Sequence, residues 1–296
     1  MEESSLRQTR RDFGRLMLAA WSGSRLGADW RPPGVTIGSA SYSFRTLPLD
    51  GAIDAMRSLG LQHCVLWQGH VEPRPASRDS LRAWRTSVSM REIERVREKF
   101  ERAGIRLIGF YYSLRNDFSD AEIQRGFEMA HALHVKYLMA SPVVSSAKLL
   151  DSQARRHGIY IGLHNHANIA ADEFARPSDF EKALEGATNL RINLDIGHLV
   201  AAGFDPVEFL QRHHARIVSL DVKDRKRNGD QVPFGEGDTP IAEVLRLLLR
   251  NRYKIPAMIE YEYKGSDPVV EVRKCMEYCL AALKNAKREQ TKGGLI

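Results

Sequence analysis

Cysteine is scarce in this chain. Only Cys64, Cys275 and Cys279 occur in 296 residues, an odd number without framework spacing, which excludes a disulfide scaffold. Cys275 and Cys279 stand four apart on an expected C-terminal helix and read as a buried helix face, with a metal pair as the alternative. Long apolar runs are missing as well. None reaches the ~20 residues that cross a bilayer. No glycine-rich phosphate loop follows an early strand; Gly38 does not build one, which argues against an open dinucleotide-binding sheet. Concentrated positive charge is also absent from the body of the chain. The net charge is +7, from 44 basic and 37 acidic residues. Residues 1–31 carry +2 of it and residues 284–296 carry +3, which leaves little for a nucleic-acid face.

The N-terminus reads Thr9-Arg10-Arg11-Asp12-Phe13, followed by a short apolar stretch ending at Trp21. Paired arginines before such a stretch are the pattern of a twin-arginine export signal; an amphipathic leading helix is the alternative. The expected organisation is a leader over residues 1–31, one domain over 32–284 and a basic tail over 285–296. An exported, periplasmic protein follows if the signal is real, and a cytoplasmic one otherwise.

After Pro32-Pro33 the apolar pattern alternates regularly. Strands are expected at 35–44, 63–67, 106–112, 136–140, 159–164, 190–195, 216–222 and 257–263. Helices are expected between them and after the last: 49–60, 91–103, 119–134, 146–157, 177–184, 206–213, 239–250 and 267–284. Ser119 is placed to cap one helix, and Gly104 and Gly158 to close two others. Eight strand–helix units in roughly 250 residues predict one (β/α)8 TIM barrel. Residues 68–90, polar and arginine-rich with Trp84 among them, are expected to be a loop. It reads equally as a surface excursion or as a lid whose aromatic neighbours Trp67 and His70 stack on a ligand.

In such a barrel the working groups gather at the C-terminal ends of the strands. The fifth strand ends in His164-Asn165-His166 and the sixth in Asp195-Ile196-Gly197-His198. The seventh carries Asp221, Lys223 and Asp224, and the eighth Glu260 and Glu262. Alone, each is an ordinary cap or a structural histidine. Together, four successive strands put charge at one end of a barrel whose interior is normally aliphatic, so the charges need a partner. His164, Asp195, Asp221 and Glu260 would give one divalent ion (Mn²⁺, Mg²⁺, Zn²⁺ or Co²⁺) an imidazole and three carboxylates. A salt-bridge network with Lys223 and Arg225 is the competing arrangement.

These motifs, with Phe234-Gly235-Glu236-Gly237-Asp238-Thr239-Pro240-Ile241 and Ile259-Glu260-Tyr261-Glu262, resemble the xylose isomerase-like barrels, and within them the sugar phosphate isomerase/epimerase proteins. The likeness spans about residues 35–283. It implies a metal held by Glu, Asp, His and Glu from four strands. Asp195 and Glu260 match that set; His164 falls on the first Glu position and Asp221 on the His position, which leaves the formal charge unchanged. The resemblance further implies proton abstraction α to a carbonyl through an enediolate, on a small carbohydrate. Glu260 would act as base, His166 as a proton carrier with a pKa near neutrality, and Lys223 as the stabiliser of the oxyanion. His198, Asn165, Asp224, Glu262 and Trp67 would contact the substrate. The family's usual Glu on the second strand is replaced by Val65 or Leu66. A lyase or dehydratase acting on a keto-sugar, keto-glycoside or keto-inositol is the second reading. A related endonuclease is opposed by the charge balance, and a non-catalytic binding protein stands further off. Neither a nucleic-acid partner nor a membrane is expected for the mature chain, and homo-oligomerisation stays open.

Overall fold

A computed structural model describes residues 34–74, 77–227 and 229–293. The expected leader and the end of the expected tail lie outside these. Eight parallel strands close into a barrel: β1 (Ile37–Ala40), β2 (His63–Trp67), β3 (Arg106–Tyr111), β4 (Tyr137–Ala140), β5 (Tyr160–His164), β6 (Leu190–Asp195), β7 (Ile217–Val222) and β10 (Ala257–Ile259). A two-stranded antiparallel ribbon, β8 (Asp224–Arg225) with β9 (Gln231–Val232), follows β7. The helices are α1 (Leu49–Ser58), α2 (Arg78–Ser87), α3 (Met90–Arg102), α4 (Asp120–Ala132), α5 (Ala147–His157), α6 (Pro177–Leu184), α7 (Ile196–Ala201), α8 (Pro206–His213), α9 (Ile241–Asn251) and α10 (Pro268–Gly293). This is the expected TIM barrel. No helix among the described residues is long and apolar enough to cross a membrane.

The main core lies between strands and helices, where Phe44, Phe100, Phe110, Phe127 and Phe180 are fully buried. A second, smaller cluster joins Val65, Met139 and Met258. Glycines on the strands make room for it: a Cβ at Gly38 would meet the Met258 sulfur at 2.6 Å, and one at Gly162 the Met139 sulfur at 2.6 Å. Flexible thioethers thus fill the narrow barrel where strand side chains are missing.

The structure departs from expectation in four places. The first strand stops at Ala40, and Ser41–Phe44 coils into a 3₁₀ turn. Its serines explain the change: Ser41 Oγ accepts the Trp67 N–H at 2.8 Å, and Ser43 Oγ donates to the Ile259 carbonyl at 3.1 Å. Such side-chain bonds compete with a strand ladder. The last barrel strand likewise ends at Ile259 rather than 263. The final helix runs on to Gly293, past the expected start of the tail.

Most consequential is the arginine-rich stretch after β2. It holds a 3₁₀ turn, Gln68–His70, and the helix α2, whose cap Ser77 pairs reciprocally with Ser80. α2 is locked by charge. Arg78 Nη1 lies 2.6 Å from Glu122 Oε1, Arg85 Nη1 lies 3.1 Å from the same atom, and Arg82 Nε lies 3.3 Å from Glu122 Oε2. Arg85 also pairs with Glu72 at 2.7 Å. Glu122 is fully buried and forms a capping box with Ser119 at the start of α4. The guanidinium of Arg78 leads the groups that overcome burial and hold the Glu122 carboxyl at about 2.

Candidate active site

The strand registers bring the polar groups together. Asp195 stands beside Asp221 across β6 and β7, and His164 beside Asn193 across β5 and β6. At the C-terminal ends a pocket of about 320 Å³ opens. Its lining includes Tyr42, Val65, Trp67, Tyr111, His164, His166, His198, Lys223, Glu260 and Glu262. Val65 occupies the wall at the second strand, where the resemblance called for a Glu.

Lys223 is the hub. Its ammonium lies 2.7 Å from Glu262 Oε2, 3.0 Å from Asp195 Oδ2 and 3.2 Å from Glu260 Oε1. Burial opposes its charge, but Asp195, Glu260 and Glu262 outweigh that and hold its pKa well above the usual lysine value. The carboxyl of Glu260 is pushed up to about 7, chiefly by burial; Lys223 works against this, while Asp221 and Asp195 add to it. Glu262, partly buried, keeps a lowered pKa because the Lys223 ammonium outweighs its burial.

The three histidines are shifted differently. Burial works against a proton on His164, but Asp221 Oδ2, 3.2 Å from its Nδ1, leads the carboxylates that raise its pKa. His166 is lowered to about 4 by burial and by the His164 charge. This corrects the expectation of a near-neutral pKa: His166 starts as a neutral acceptor. Burial, with Lys223 next, drives His198 well below its ordinary value. Arg225 Nη1 points at His198 Nδ1 from 2.6 Å and Lys223 Nζ at Nε2 from 3.3 Å. A neutral ring offers one acceptor nitrogen, so the tautomer of His198 selects which cation it serves.

The donor set fits a divalent cation. Oxygens of Asp195, Asp221 and Glu260 lie within 4.8 Å of one another, and His164, Asp195 and His198 form an overlapping group on the same criterion. Asp195 Oδ2 and Asp221 Oδ2 are buried without a hydrogen-bond partner. Lys223 Nζ lies 3.0 Å from the first oxygen and His164 Nδ1 3.2 Å from the second; buried carboxylates are costly without such compensation, and a divalent cation would add to it. Both imidazoles are therefore placed for the nitrogen position, and either would take it in its neutral form.

Two expected substrate contacts sit elsewhere. Asn165 is fully buried and bridges strands, its Oδ1 accepting the Asp195 N–H at 2.9 Å and its Nδ2 donating to the Asp195 carbonyl at 3.0 Å. The Asp224 carboxylate accepts the N–H groups of Gly235 at 2.8 Å, Gly237 at 3.1 Å and Thr239 at 3.2 Å. It pins the Phe234–Ile241 motif rather than facing the pocket. Tyr42, Tyr111, Ser113, Arg115 and Ser141 line the pocket without having been foreseen. The only signal for them was position, at or just past the ends of early strands.

The model of the xylose isomerase-like TIM barrel matches residues 85–282. The chain belongs to that family. No match was found among curated proteins. Solved structures share the fold at low identity. An L-ribulose 3-epimerase is 14% identical with a TM-score of 0.64, covering 87% of this chain and 97% of its own. A sugar phosphate isomerase/epimerase from Parabacteroides distasonis is 20% identical with a TM-score of 0.57, covering 82% and 97%. A probable 3-DHS dehydratase from Bacillus anthracis is 14% identical with a TM-score of 0.61, covering 84% and 98%.

Proposed function

We propose that this chain is a divalent-metal-dependent sugar isomerase/epimerase that moves a proton α to a carbonyl. The observation that carries the reading is the buried trio Asp195, Asp221 and Glu260, whose oxygens lie within 4.8 Å of one another with His164 and His198 beside them. Asp195, Asp221, Glu260 and one imidazole, His164 or His198, would hold the ion. A divalent cation there would supply Lewis-acid polarisation of the substrate carbonyl.

The remaining chemistry falls to the chain's own residues. Glu260 takes the proton from the carbon beside the carbonyl and returns it. The electron pair left behind moves onto the carbonyl oxygen as an enediolate, and Lys223 hydrogen-bonds that oxygen. Delivery by Glu260 to the neighbouring carbon, with the hydroxyl proton passing from one enediolate oxygen to the other, interconverts aldose and ketose. Inversion at one carbon uses a second group on the opposite face, and His166 is the candidate. Trp67 and Tyr42, packed edge to face at 5.1 Å, offer ring surface to a sugar.

Elimination, as in a lyase or dehydratase, shares the first step but needs an acid for the departing hydroxyl. His166 is held neutral, so it would serve either reaction as the group that accepts a proton, and the product distinguishes the two.

The test is solvent deuterium incorporation by the metal-loaded protein, using ketopentoses and ketohexoses that include L-ribulose. Glu260→Gln should lower incorporation by about 10²–10⁴-fold. Undiminished incorporation in that variant overturns the role of Glu260; a product lacking one water would replace isomerisation with elimination.

A further inference from the structure

The reacting pocket does not end at His166. Arg115, Ser141 and His166 line it, and the same three residues line a second hollow of about 300 Å³. Asn116, Asn168, Glu173 and the apolar Val143 complete that hollow. The loops after β3, β4 and β5 build it, and they are tied to one another. The Ser141 N–H donates to the Ser113 carbonyl at 3.2 Å, and the His166 N–H to the Phe174 carbonyl at 2.8 Å. The Asp172 carboxylate accepts the Ser145 N–H at 2.7 Å and its hydroxyl at 2.6 Å.

Arg115 stands apart from the other arginines near the barrel mouth. Arg78, Arg82 and Arg85 are committed to Glu122, and Arg225 to His198. Among the described residues, the Arg115 side chain has no hydrogen bond, ion pair or ring contact, yet it lines both hollows. Its main chain is fixed: the Arg115 carbonyl accepts the Phe118 N–H at 3.0 Å. The preceding Leu114 is buried and left-handed, with φ 43°. His134 and Arg252 share that conformation at helix ends, and Asp172 is stapled to Ser145. Leu114 has neither excuse. An L-residue pays about 1–2 kcal/mol for it, and such strain gathers at ligand clamps.

We propose that the second hollow is an anion subsite. It receives a carboxylate or phosphate carried by the same substrate whose other end reacts in the first pocket, and Arg115 is its cationic partner. The identification of that other end rests on the proposed isomerase reading. A guanidinium suits either anion because its fork of N–H donors matches two oxygens at once. Asn116, Asn168 and Ser141 add neutral donors. Glu173, the one acid in the lining, opposes the anion.

Calorimetric binding of D-fructose, D-fructose 6-phosphate and D-glucuronate to the metal-loaded protein tests the subsite. One or both anionic sugars should bind about tenfold or more tightly than fructose. Whichever keeps the advantage identifies phosphate or carboxylate. Arg115→Gln should abolish the advantage, weakening the anionic sugar by about tenfold or more and fructose by far less, Arg115→Lys should keep part of it, and Glu173→Gln should increase it. Equal binding of charged and neutral sugars, or an advantage that survives Arg115→Gln, overturns the subsite. Binding is read without turnover. An anionic preference that depends on Arg115 in a protein without deuterium exchange would therefore overturn the isomerase reading and leave the subsite standing.

Discussion

Asp221→Asn separates a metal site from a salt-bridge network. Asp221 is 1% exposed, and its Oδ2 lies 3.2 Å from His164 Nδ1. The amide is nearly isosteric, so packing survives. It removes one negative charge and with it the main support for the proton on His164. Exchanging a buried ion pair for a neutral hydrogen-bonded pair is close to neutral in energy, so the metal-free variant should melt within about 3 °C of the wild type. The metal response should differ. At an ion concentration a hundred times Kd, binding stabilises the wild type by ~2.7 kcal/mol, which raises Tm by about 5–11 °C in a domain of this size. Losing one charged ligand should weaken affinity at least tenfold, ~1.4 kcal/mol, and remove about 3–5 °C of that rise. Differential scanning calorimetry with Mn²⁺, Mg²⁺, Zn²⁺ or Co²⁺ against chelator reads both quantities. An equal rise in variant and wild type refutes Asp221 as a ligand. No rise with any ion refutes the metal site and leaves Lys223 as the cation that the carboxylates were built around.

Glu122→Ala should cost about 3–5 kcal/mol, because it strands the buried Arg85 beside Glu72 alone; a denaturation midpoint unchanged from wild type would contradict this. The same carboxyl has a pH signature. With its folded pKa held at about 2, below the unfolded value, its stabilisation is complete above the unfolded pKa and is lost as pH falls towards 2, so urea titrations from pH 6 to pH 3 should converge for Glu122→Gln and wild type. At Gly237 an added Cβ would stand 2.1 Å from Asp224 Oδ1; Gly237→Ala should loosen the Phe234–Ile241 motif, measured as faster proteolysis there, and unchanged cleavage would count against the staple.

The eight-fold alternation was legible because each strand is a short apolar run beside an amphipathic helix. The site's residues were legible for a related reason: charge at the end of an aliphatic strand is conspicuous, as with Asp195, Asp221 and Glu260. What stayed hidden depends on distance in space. Asp224 looked like a pocket residue because it follows Lys223, yet successive residues of an extended chain point opposite ways, and it turns to the loop instead. α2 was read as a loop because its helix is stabilised by arginines reaching Glu122, 37 to 44 residues further on, rather than by an apolar stripe. The charge states of His166 and Glu260 also came only from the structure, since each is set by neighbours on other strands.

The pairing of Lys223 with Asp224 has a consequence for altering this barrel. One residue reaches into the reacting pocket and the next anchors the Phe234–Ile241 motif, so that side of the mouth is geared to the hub ammonium. A rebuilt loop there would shift the lysine and retune every group around it. The opposite side is different: α2 is fastened to the barrel at a few charged points. Grafting a foreign segment between Trp67 and Met90, with its own arginine for Glu122, would change what enters the pocket and leave the proton-moving groups undisturbed.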